Sequence, residues 1–303
     1  MKTNEELRTS LRAIDRRSYP AYKSLAGNWS FGKYILNIEH VQGDPFAAPS
    51  QLSVTVDSRT AGFPTACWEA PWNRTALEDY LLRRYDRQAG RFSRQAKGSG
   101  KSGVLAVTIP GQETLERTDC EVRSGRVTLR FEVGFPANGR TITARELEKI
   151  LFDFLPVCVE QGLLYASTPK EEAAKVIALA EDQHFIRTEL AKQGLAAFVA
   201  DGSILPRESG ASDRPMKDAV PFRAPDELAV TLELPHRGPL RGMGIRRGIT
   251  LIAGGGYHGK STLLKALERG IYDHIAGDGR EYVITDATAV KIRAEDGRKV
   301  TAA

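Results

Sequence analysis

Residues 254–261 read GGGYHGKS, which satisfies the pattern GxxxxGK[ST] without a mismatch. The apolar run Ile249–Ala253 precedes this window, and a helical pattern over residues 261–270 follows it. A strand, a glycine loop and a helix in this order are the context in which the pattern indicates a phosphate-binding loop, or P-loop. Backbone N–H groups and the helix N-terminus surround the phosphate in such a loop, and side chains in place of the glycines would hold the backbone away from it.

The loop is predicted to bind ATP and Mg²⁺. Lys260 is expected to reach the β- and γ-phosphates, and Ser261 to place its hydroxyl on Mg²⁺ with Thr262 beside it. His258 either contacts a phosphate oxygen or projects outward. The predicted nucleotide ligands are Gly254, Gly255, Gly256, Tyr257, His258, Gly259, Lys260, Ser261 and Thr262, with Ser261 as the metal ligand. The alternative is a glycine-rich turn that happens to precede a lysine.

A second GKS triplet lies in Gly98–Ser102 and serves as a comparison. There Gln95 stands where the pattern requires its first glycine, and no apolar strand precedes the segment. We interpret it as a basic flexible loop.

The composition fits a soluble globular protein long enough for two domains. Hydrophobic residues make up 41% and charged residues 27% of the 303 residues. No apolar run approaches the roughly 18–20 residues that span a bilayer, and the charged N-terminus is unlike a secretory signal. Three separated cysteines, Cys67, Cys120 and Cys158, form neither a disulfide framework nor a metal pattern, and a small buried side chain is the simplest interpretation of Cys158. No membrane partner and a cytoplasmic location are therefore expected.

The net charge of +5 is modest, but the basic residues are unevenly distributed. One stretch contains Arg83, Arg84, Arg87, Arg91, Arg94, Lys97 and Lys101, opposed only by Asp86. This stretch is either a patch that follows phosphates, binding RNA or DNA through Arg83, Arg84, Arg87 and Arg91, or a solvated helix face followed by a loop.

Periodicity predicts an N-terminal mixed α+β domain over residues 1–165 and a second domain over 166–303 that leads into the P-loop. The predicted helices cover 4–17, 74–95, 144–155 and 169–193. The predicted strands cover 34–40, 52–56, 104–109, 115–122, 126–133, 198–200, 228–234 and 249–253. A hairpin is expected at Arg123–Gly125, a capping box at Thr143 and Glu146, an interruption or kink at Pro156, and a helix stop at Gly194.

Three further segments carry open alternatives. The polar loop over 201–222 either presents Asp201, Arg207, Ser209 and Asp213 to a ligand or partner subunit, or is an ordinary surface excursion. In the glycine- and proline-rich segment 234–245, which precedes the strand predicted over 249–253, His236 either contacts phosphate or nucleic acid or is a simple loop residue. Near the C-terminus, Lys291 and Arg293 share a strand face that would point toward the nucleotide.

The P-loop and its surroundings resemble the start of an ABC-type ATPase core. More specifically, they are similar to the predicted ATPases of the ABC class, a family that includes a trypanosome mitochondrial RNA-editing-associated ATPase. The segments that carry the resemblance are GGGYHGKSTLLKALE (254–268), GDGRE (277–281), AVKIRAEDGR (289–298), HVQGDPFAAPS (40–50), FVADGSILPRESGASDRP (198–215) and LPHRGPLRGMGI (234–245). They extend over nearly the whole chain.

The resemblance implies an α+β domain followed by the first part of an ABC-type P-loop domain, a fold class of α/β and α+β. Family members are longer, with a signature helix and Walker B carboxylates that find no position here, so the catalytic residues are unknown. Because such sites are composite, the resemblance implies a homodimer of the complete protein, which would hydrolyse ATP with possible coupling to nucleic acid. The alternatives are a nucleic-acid (RNA) binding module with a vestigial or structural nucleotide site, and an inactive remnant.

Overall fold

The computed structural model describes residues 1–292, which form two compact units. The first unit comprises residues 1–110 and 116–177. Among the described residues, the second comprises 111–115 and 178–292. Both units combine helices with sheets. Among the described residues, no helix has both the length and the apolar character that crossing a bilayer requires.

The described residues contain seven α-helices. They are α1 (Asn4–Ala13), α2 (Ser58–Ala61), α3 (Pro71–Phe92), α4 (Ala144–Glu148), α5 (Leu155–Leu163), α6 (Lys170–Lys192) and α7 (Lys260–Arg269). Helix α6 stops where predicted, because Gly194 adopts the left-handed conformation with φ of 65°. Cys158 is fully buried on α5, as its apolar surroundings predicted.

The strands of the first unit are β1 (Lys2–Thr3), β2 (Gly27–Ser30), β3 (Ile35–His40), β4 (Ser50–Val56), β5 (Leu105–Ala106), β7 (Cys120–Arg123), β8 (Arg126–Val133), β9 (Ala137–Asn138) and β10 (Thr141–Ile142). The strands of the second unit are β6 (Glu113–Thr114), β11 (Leu195–Ala200), β12 (Ala229–Leu234), β13 (Gly238–Arg246), β14 (Asp273–His274) and β15 (Val283–Thr285). The single strand predicted over 115–122 is wrong, since β6 and β7 belong to different sheets and an irregular stretch separates them.

A seven-stranded sheet organises the first unit. Its order is β1-β2-β3-β4-β8-β5, and β7 also pairs with β8. Only the β1–β2 pair is parallel. The predicted hairpin at Arg123–Gly125 is confirmed: Arg123 pairs with Arg126, and the two connecting residues Ser124 and Gly125 have φ of 50° and 74°. Two left-handed residues in a two-residue connection match the right-handed twist of the flanking strands.

The helix that begins at Ala144 continues past Pro156, and the interruption predicted there takes the form of a wider helical turn just before the proline. A π-helical turn over Lys149–Phe154 joins α4 to α5. Such a wide turn accommodates a proline, which lacks the N–H that a regular helix needs at that position. The capping box predicted at Thr143 is wrong, because its side chain makes no capping bond and Glu146 instead accepts from the Lys97 N–H at 2.8 Å. A capping box does form at the start of α1, between Thr3 and Glu6.

Glu78 is a buried carboxyl group on α3 whose pKa departs far from its usual value. Its side chain accepts a hydrogen bond from the Val122 N–H of β7 at 2.7 Å. Burial raises the pKa of Glu78 to about 7, although that hydrogen bond and Arg74 act in the opposite direction. Because this pKa lies above the unfolded value of 4.5, the stability that Glu78 contributes is complete below that pH and is lost as the pH rises through 7.

Replacement Glu78→Gln is expected to flatten the pH dependence of stability of the first unit. The amide still accepts the Val122 hydrogen bond but binds no proton. In the parent, this group lowers the free energy of unfolding by roughly 3 kcal/mol between about pH 4.5 and pH 8. Urea unfolding followed by tryptophan fluorescence measures the change, because Trp29, Trp68 and Trp72 all lie in this unit.

The exposed Glu160 provides the matched control, and Glu160→Gln should keep the slope of the parent. An unchanged slope in Glu78→Gln would contradict the role assigned to its burial.

A four-stranded antiparallel sheet, in the order β12-β13-β11-β15, organises the second unit. Neighbouring residues of β11 face opposite sides. Phe198 packs in a cluster with Ile186 and Leu190 of α6, whereas Val199 packs in a cluster with Ala266 of α7. Because strand side chains alternate between faces, one helix covers each face of the sheet. This arrangement seats α7, and with it the end of the glycine loop, on a buried sheet.

Strand β13 occupies a segment in which no strand was predicted. It pairs with both β12 and β11, so it lies inside the sheet. Gly242 is required here by close packing: a Cβ at this position would lie 2.5 Å from the Val199 carbonyl oxygen and 2.6 Å from the Phe198 ring. Glycine in a strand interior often marks such a close approach.

The strand predicted over Ile249–Ala253 is wrong for the described chain. No described strand pairs with this segment, and Ile249 and Leu251 are almost fully exposed. An isolated strand leaves its backbone donors and acceptors without partners, so the apolar pattern alone does not produce one. Gly248, with φ of 115°, separates the segment from the end of β13.

Candidate functional site

The glycine loop leads directly into α7. Gly259 is the residue before the helix and has φ of 76°, in the left-handed region that favours glycine. It offers no side chain to cap the helix, so the first backbone N–H groups of α7 remain available to an anion. Ser261 is exposed in this first turn. The predicted order of glycine loop and helix is therefore present, while the preceding strand is not.

Two side chains close over the loop. The Lys260 ammonium donates a hydrogen bond to the Gly255 carbonyl oxygen, so that this side chain reaches back across the loop. The His258 imidazole lies beside Gly255, where a Cβ would come within 3.2 Å of the ring. Both groups are thus near the loop backbone. The assignment of residues 254–262 to a nucleotide stays a prediction.

The far end of α7 is fixed to the sheet. The Thr285 hydroxyl donates to the Leu267 carbonyl at 2.8 Å, and the Thr285 N–H donates to the Gly270 carbonyl at the same distance. The helix also packs on the sheet through Leu263, Ala266 and Leu267. A rigidly seated helix holds its N-terminus in a defined position, which any anion site at that end requires.

A cleft of about 540 Å³ lies along α7 within the second unit. One wall is the helix, with Thr262, Lys265 and Arg269, and another is the polar loop around Arg207 and Asp213. Its charged lining residues are Glu113, Arg207, Asp213, Lys265, Glu268, Arg269, Arg280 and Lys291. The cleft was not anticipated from the sequence, since these residues are far apart along the chain.

The polar loop over 201–222 is anchored at several points. Asp201 accepts a hydrogen bond from the Ala224 N–H at 2.6 Å and pairs with Arg241. Burial raises the pKa of Asp201, but these two contacts outweigh it and hold the pKa below its usual value. Ser209 accepts from the Ser212 N–H at 3.1 Å. Asp201 thus has local structural contacts, whereas Ser209 and Asp213 both line the cleft.

Arg207 takes part in a buried charged network. It donates to the Asp278 carboxylate at 2.7 Å, and His274 Nδ1 donates to the same oxygen at 2.7 Å. His274 Nε2 lies 3.3 Å from the Arg269 carbonyl at the end of α7. Burial raises the pKa of Asp278, but the bonds from His274 and Arg207 prevail and lower it. The network ties the polar loop to the C-terminal end of the helix.

The predicted row of phosphate-binding arginines on α3 is not a single exposed patch. Arg84 is buried and donates to the carbonyls of Gln161 and Ser167, the second at 2.9 Å. Arg83 is half-buried and pairs with Asp79 at 2.5 Å. Successive helical residues point in different directions, which removes Arg84 from any outward face. Arg87 and Arg91 remain exposed.

Two further residues that were predicted to contact a ligand, His236 and Lys291, have acidic partners in the protein. His236 lies in the turn between β12 and β13, and its Nε2 is 2.5 Å from the Glu181 carboxylate of α6. Lys291 pairs with Glu268 at 2.6 Å and lines the cleft. Arg293 lies outside the described residues.

The comparison segment Gly98–Ser102 is not the flexible loop that was predicted. The Ser99 N–H donates to the Ala137 carbonyl and the Lys101 N–H to the Pro45 carbonyl, both at 2.8 Å. Ser102 is buried and donates to the Ser99 carbonyl at 2.6 Å. Its GKS triplet therefore forms a hydrogen-bonded turn within the first unit.

Comparisons with known proteins agree with the loop-and-helix geometry. A family model described as the N-terminal part of ATPases of the ABC class matches residues 4–166. The model of the ABC ATPase P-loop domain matches residues 169–303. The uncharacterized protein MJ1628 of Methanocaldococcus jannaschii is 34% identical over 129 residues, which represent 40% of this chain and 28% of that relative. The chain thus spans less than a third of the relative's length.

The two family matches cover almost the whole chain. They confirm the resemblance and the predicted fold class of α/β and α+β, with an N-terminal domain followed by a P-loop domain. They also support nucleotide binding by the second of these domains. The chain belongs to the family of ABC-class ATPases.

Proposed function

We propose that this chain binds Mg-ATP through residues 254–262. The observation that carries the proposal is the glycine loop that leads into the uncapped N-terminus of α7, with Lys260 lying across it. Unpaired helix N–H groups and a nearby ammonium favour the negative charge of a triphosphate. In this proposal residues 166–303 are the nucleotide-binding domain and residues 1–165 are a separate α+β domain.

The residues present fit both the nucleotide and the metal. A Cβ at Gly256 or Gly259 would meet open space, so the loop surface is accessible to phosphate oxygens. Lys260 is placed to exchange its contact with the Gly255 carbonyl for contacts with phosphate oxygens. The exposed Ser261 hydroxyl is a suitable oxygen ligand for Mg²⁺, with phosphate oxygens and water completing the shell. When bound, the metal would neutralise phosphate charge.

ATP hydrolysis is proposed as a property of the complete dimeric protein. ABC-type sites are composite, so the loop of one subunit faces residues of another. The residues described here would bind and orient the phosphates, while Lys260 supplies a positive charge near them. Cleavage further needs a group that orients the attacking water.

Replacement Lys260→Ala tests the proposal. It removes the ammonium that lies over the loop while leaving the exposed backbone unchanged. We expect the affinity for Mg-ATP to fall by about 30-fold, which corresponds to roughly 2 kcal/mol. Isothermal titration calorimetry with the full chain measures the change.

The second GKS triplet offers a matched control. Lys101→Ala changes the same residue type in the same short motif, but in the turn of the first unit, and should leave the affinity unaltered. Equal affinities of Lys260→Ala and the parent would refute the proposed site.

A further inference from the structure

Arg280 is a buried cation without a carboxylate partner in the described chain. Only 4% of its surface is exposed, yet it lines the cleft along α7. Its Nε and Nη2 groups both donate to the Leu205 carbonyl, the first at 3.0 Å. Among residues 1–292, no carboxylate oxygen lies within the 4.0 Å of an ion pair from this guanidinium. Burial, with the charge of Arg207, lowers the pKa of Arg280 to about 10.

A buried charge is costly unless an opposite charge accompanies it. The neighbouring cations intensify this need. Arg207 is already paired with Asp278, and Arg269 lies 3.7 Å from Glu113. Lys265 is exposed on the helix wall of the cleft and has no ion-pair partner among the described residues. The cleft therefore has two cations, Arg280 and Lys265, that an incoming anion would satisfy.

The same cleft also presents acidic groups. The carboxylates of Glu113 and Asp213 converge on Gly111, where a Cβ would lie 3.0 Å from an oxygen of each. Both residues line the cleft. Carboxylates accept hydrogen bonds and repel a polyanion. This combination suits a ligand that carries one anionic group together with hydroxyl or amino donors.

From these observations we infer that the cleft between α7 and the loop 206–216 binds a small phosphorylated molecule with hydroxyl or amino donors. Its phosphate would contact Arg280 and Lys265, and its donors would face Glu113 and Asp213. The volume of about 540 Å³ falls in the range of roughly 300–1,000 Å³ common for small-molecule sites.

The cleft adjoins the proposed nucleotide site, because Thr262 lines it, but the inference rests on cations farther along the cleft and does not require ATP to bind. Lys265 is four residues and Arg269 eight residues along α7 from Ser261, which at 1.5 Å per residue places their backbones about 6 and about 12 Å from that of Ser261. A phosphate at the helix N-terminus therefore does not neutralise the far end of the cleft.

The test uses the full chain carrying Lys260→Ala. This replacement weakens phosphate binding at the glycine loop, so that the measured binding reports on the cleft. Ribose 5-phosphate, inorganic phosphate and a single-stranded oligonucleotide are titrated by calorimetry. We expect ribose 5-phosphate to bind, and more tightly than inorganic phosphate. Adding Lys265→Gln should weaken it about 3- to 5-fold, and Arg280→Gln at least about 10-fold.

Lys217→Gln is the control, since Lys217 is exposed in the same unit but does not line the cleft. With Lys217→Gln added, the Lys260→Ala chain should bind ribose 5-phosphate with unchanged affinity. Circular dichroism checks folding, and Lys265→Gln keeps the test decisive if Arg280→Gln does not fold.

The inference is overturned if ribose 5-phosphate does not bind, if it binds no more tightly than inorganic phosphate, or if both cleft variants leave its affinity unchanged. Displacement of the sugar phosphate by the oligonucleotide at lower concentration would equally overturn it. Failure of the unmodified chain to bind ATP would not overturn the inference, because that result concerns the glycine loop.

Discussion

Replacement Gly242→Ala is expected to destabilise the second unit by about 3 kcal/mol or more, because its Cβ would overlap backbone rather than a movable side chain. The added atom would lie 2.5 Å from the Val199 carbonyl oxygen and 2.8 Å from the Ala200 Cα, both on the paired strand β11. The Phe198 ring, fully buried between sheet and α6, has no room to withdraw. Strands β11 and β13 would therefore have to separate.

Hydrogen exchange measured by mass spectrometry is the suitable readout, because all three tryptophans lie in the first unit. Peptides covering β11 and β13 should exchange faster in the variant. Gly244→Ala is the control on the same strand. Its Cβ would approach only methyl groups of Leu195 and Val230, at 3.1 and 3.2 Å, so a smaller effect is expected. Equal protection in Gly242→Ala and the parent would show that this glycine is dispensable.

Replacement Arg84→Met is expected to lower the stability of the first unit by about 2–4 kcal/mol. Methionine preserves much of the side-chain length but donates no hydrogen bonds. The carbonyl oxygens of Gln161 and Ser167, which accept from Arg84 Nη2, would lose this donor. Tyr80, whose ring lies 5.6 Å from the Arg84 guanidinium, would lose a cation–π contact as well.

Urea unfolding followed by tryptophan fluorescence measures the effect of Arg84→Met. Arg87→Met is the matched control, since Arg87 lies on the same helix but is exposed and only 3.6 Å from Glu172 in a surface pair. Its change should remain below about 0.5 kcal/mol. If Arg84→Met left stability intact and instead weakened RNA binding, the original interpretation of Arg84 as part of a phosphate-binding patch would be restored.

Gly242 and Arg84 are two positions whose surroundings could not be predicted from the sequence. No strand was predicted over the glycine-rich segment around Gly242, because the sequence does not show that Phe198 of another strand occupies the space a side chain would need. Arg84 was grouped with Arg87 on charge alone, although their positions on α3 send one inward and the other to solvent. In both cases the deciding contacts join residues far apart along the chain.

Local sequence patterns correctly predicted the features that depend on neighbouring residues alone. The turn at Ser124–Gly125, the stop of α6 at Gly194 and the start of α7 after Gly259 were all indicated by residues that lie at the feature itself. Turn conformation and helix ends depend on backbone freedom and on neighbouring donors and acceptors. Such features can be predicted without knowing the fold.

The sequence by itself determined the glycine loop and the helix behind it, together with the family to which the chain belongs. Only the tertiary structure showed that Ile249–Ala253 lacks a strand partner in the described chain and that the polar loop lies against α7. It alone brought Arg280 into a cleft with Lys265. The reason is physical: a loop motif is specified by adjacent residues, whereas strand pairing, burial of charge and cavity shape depend on which distant segments come together.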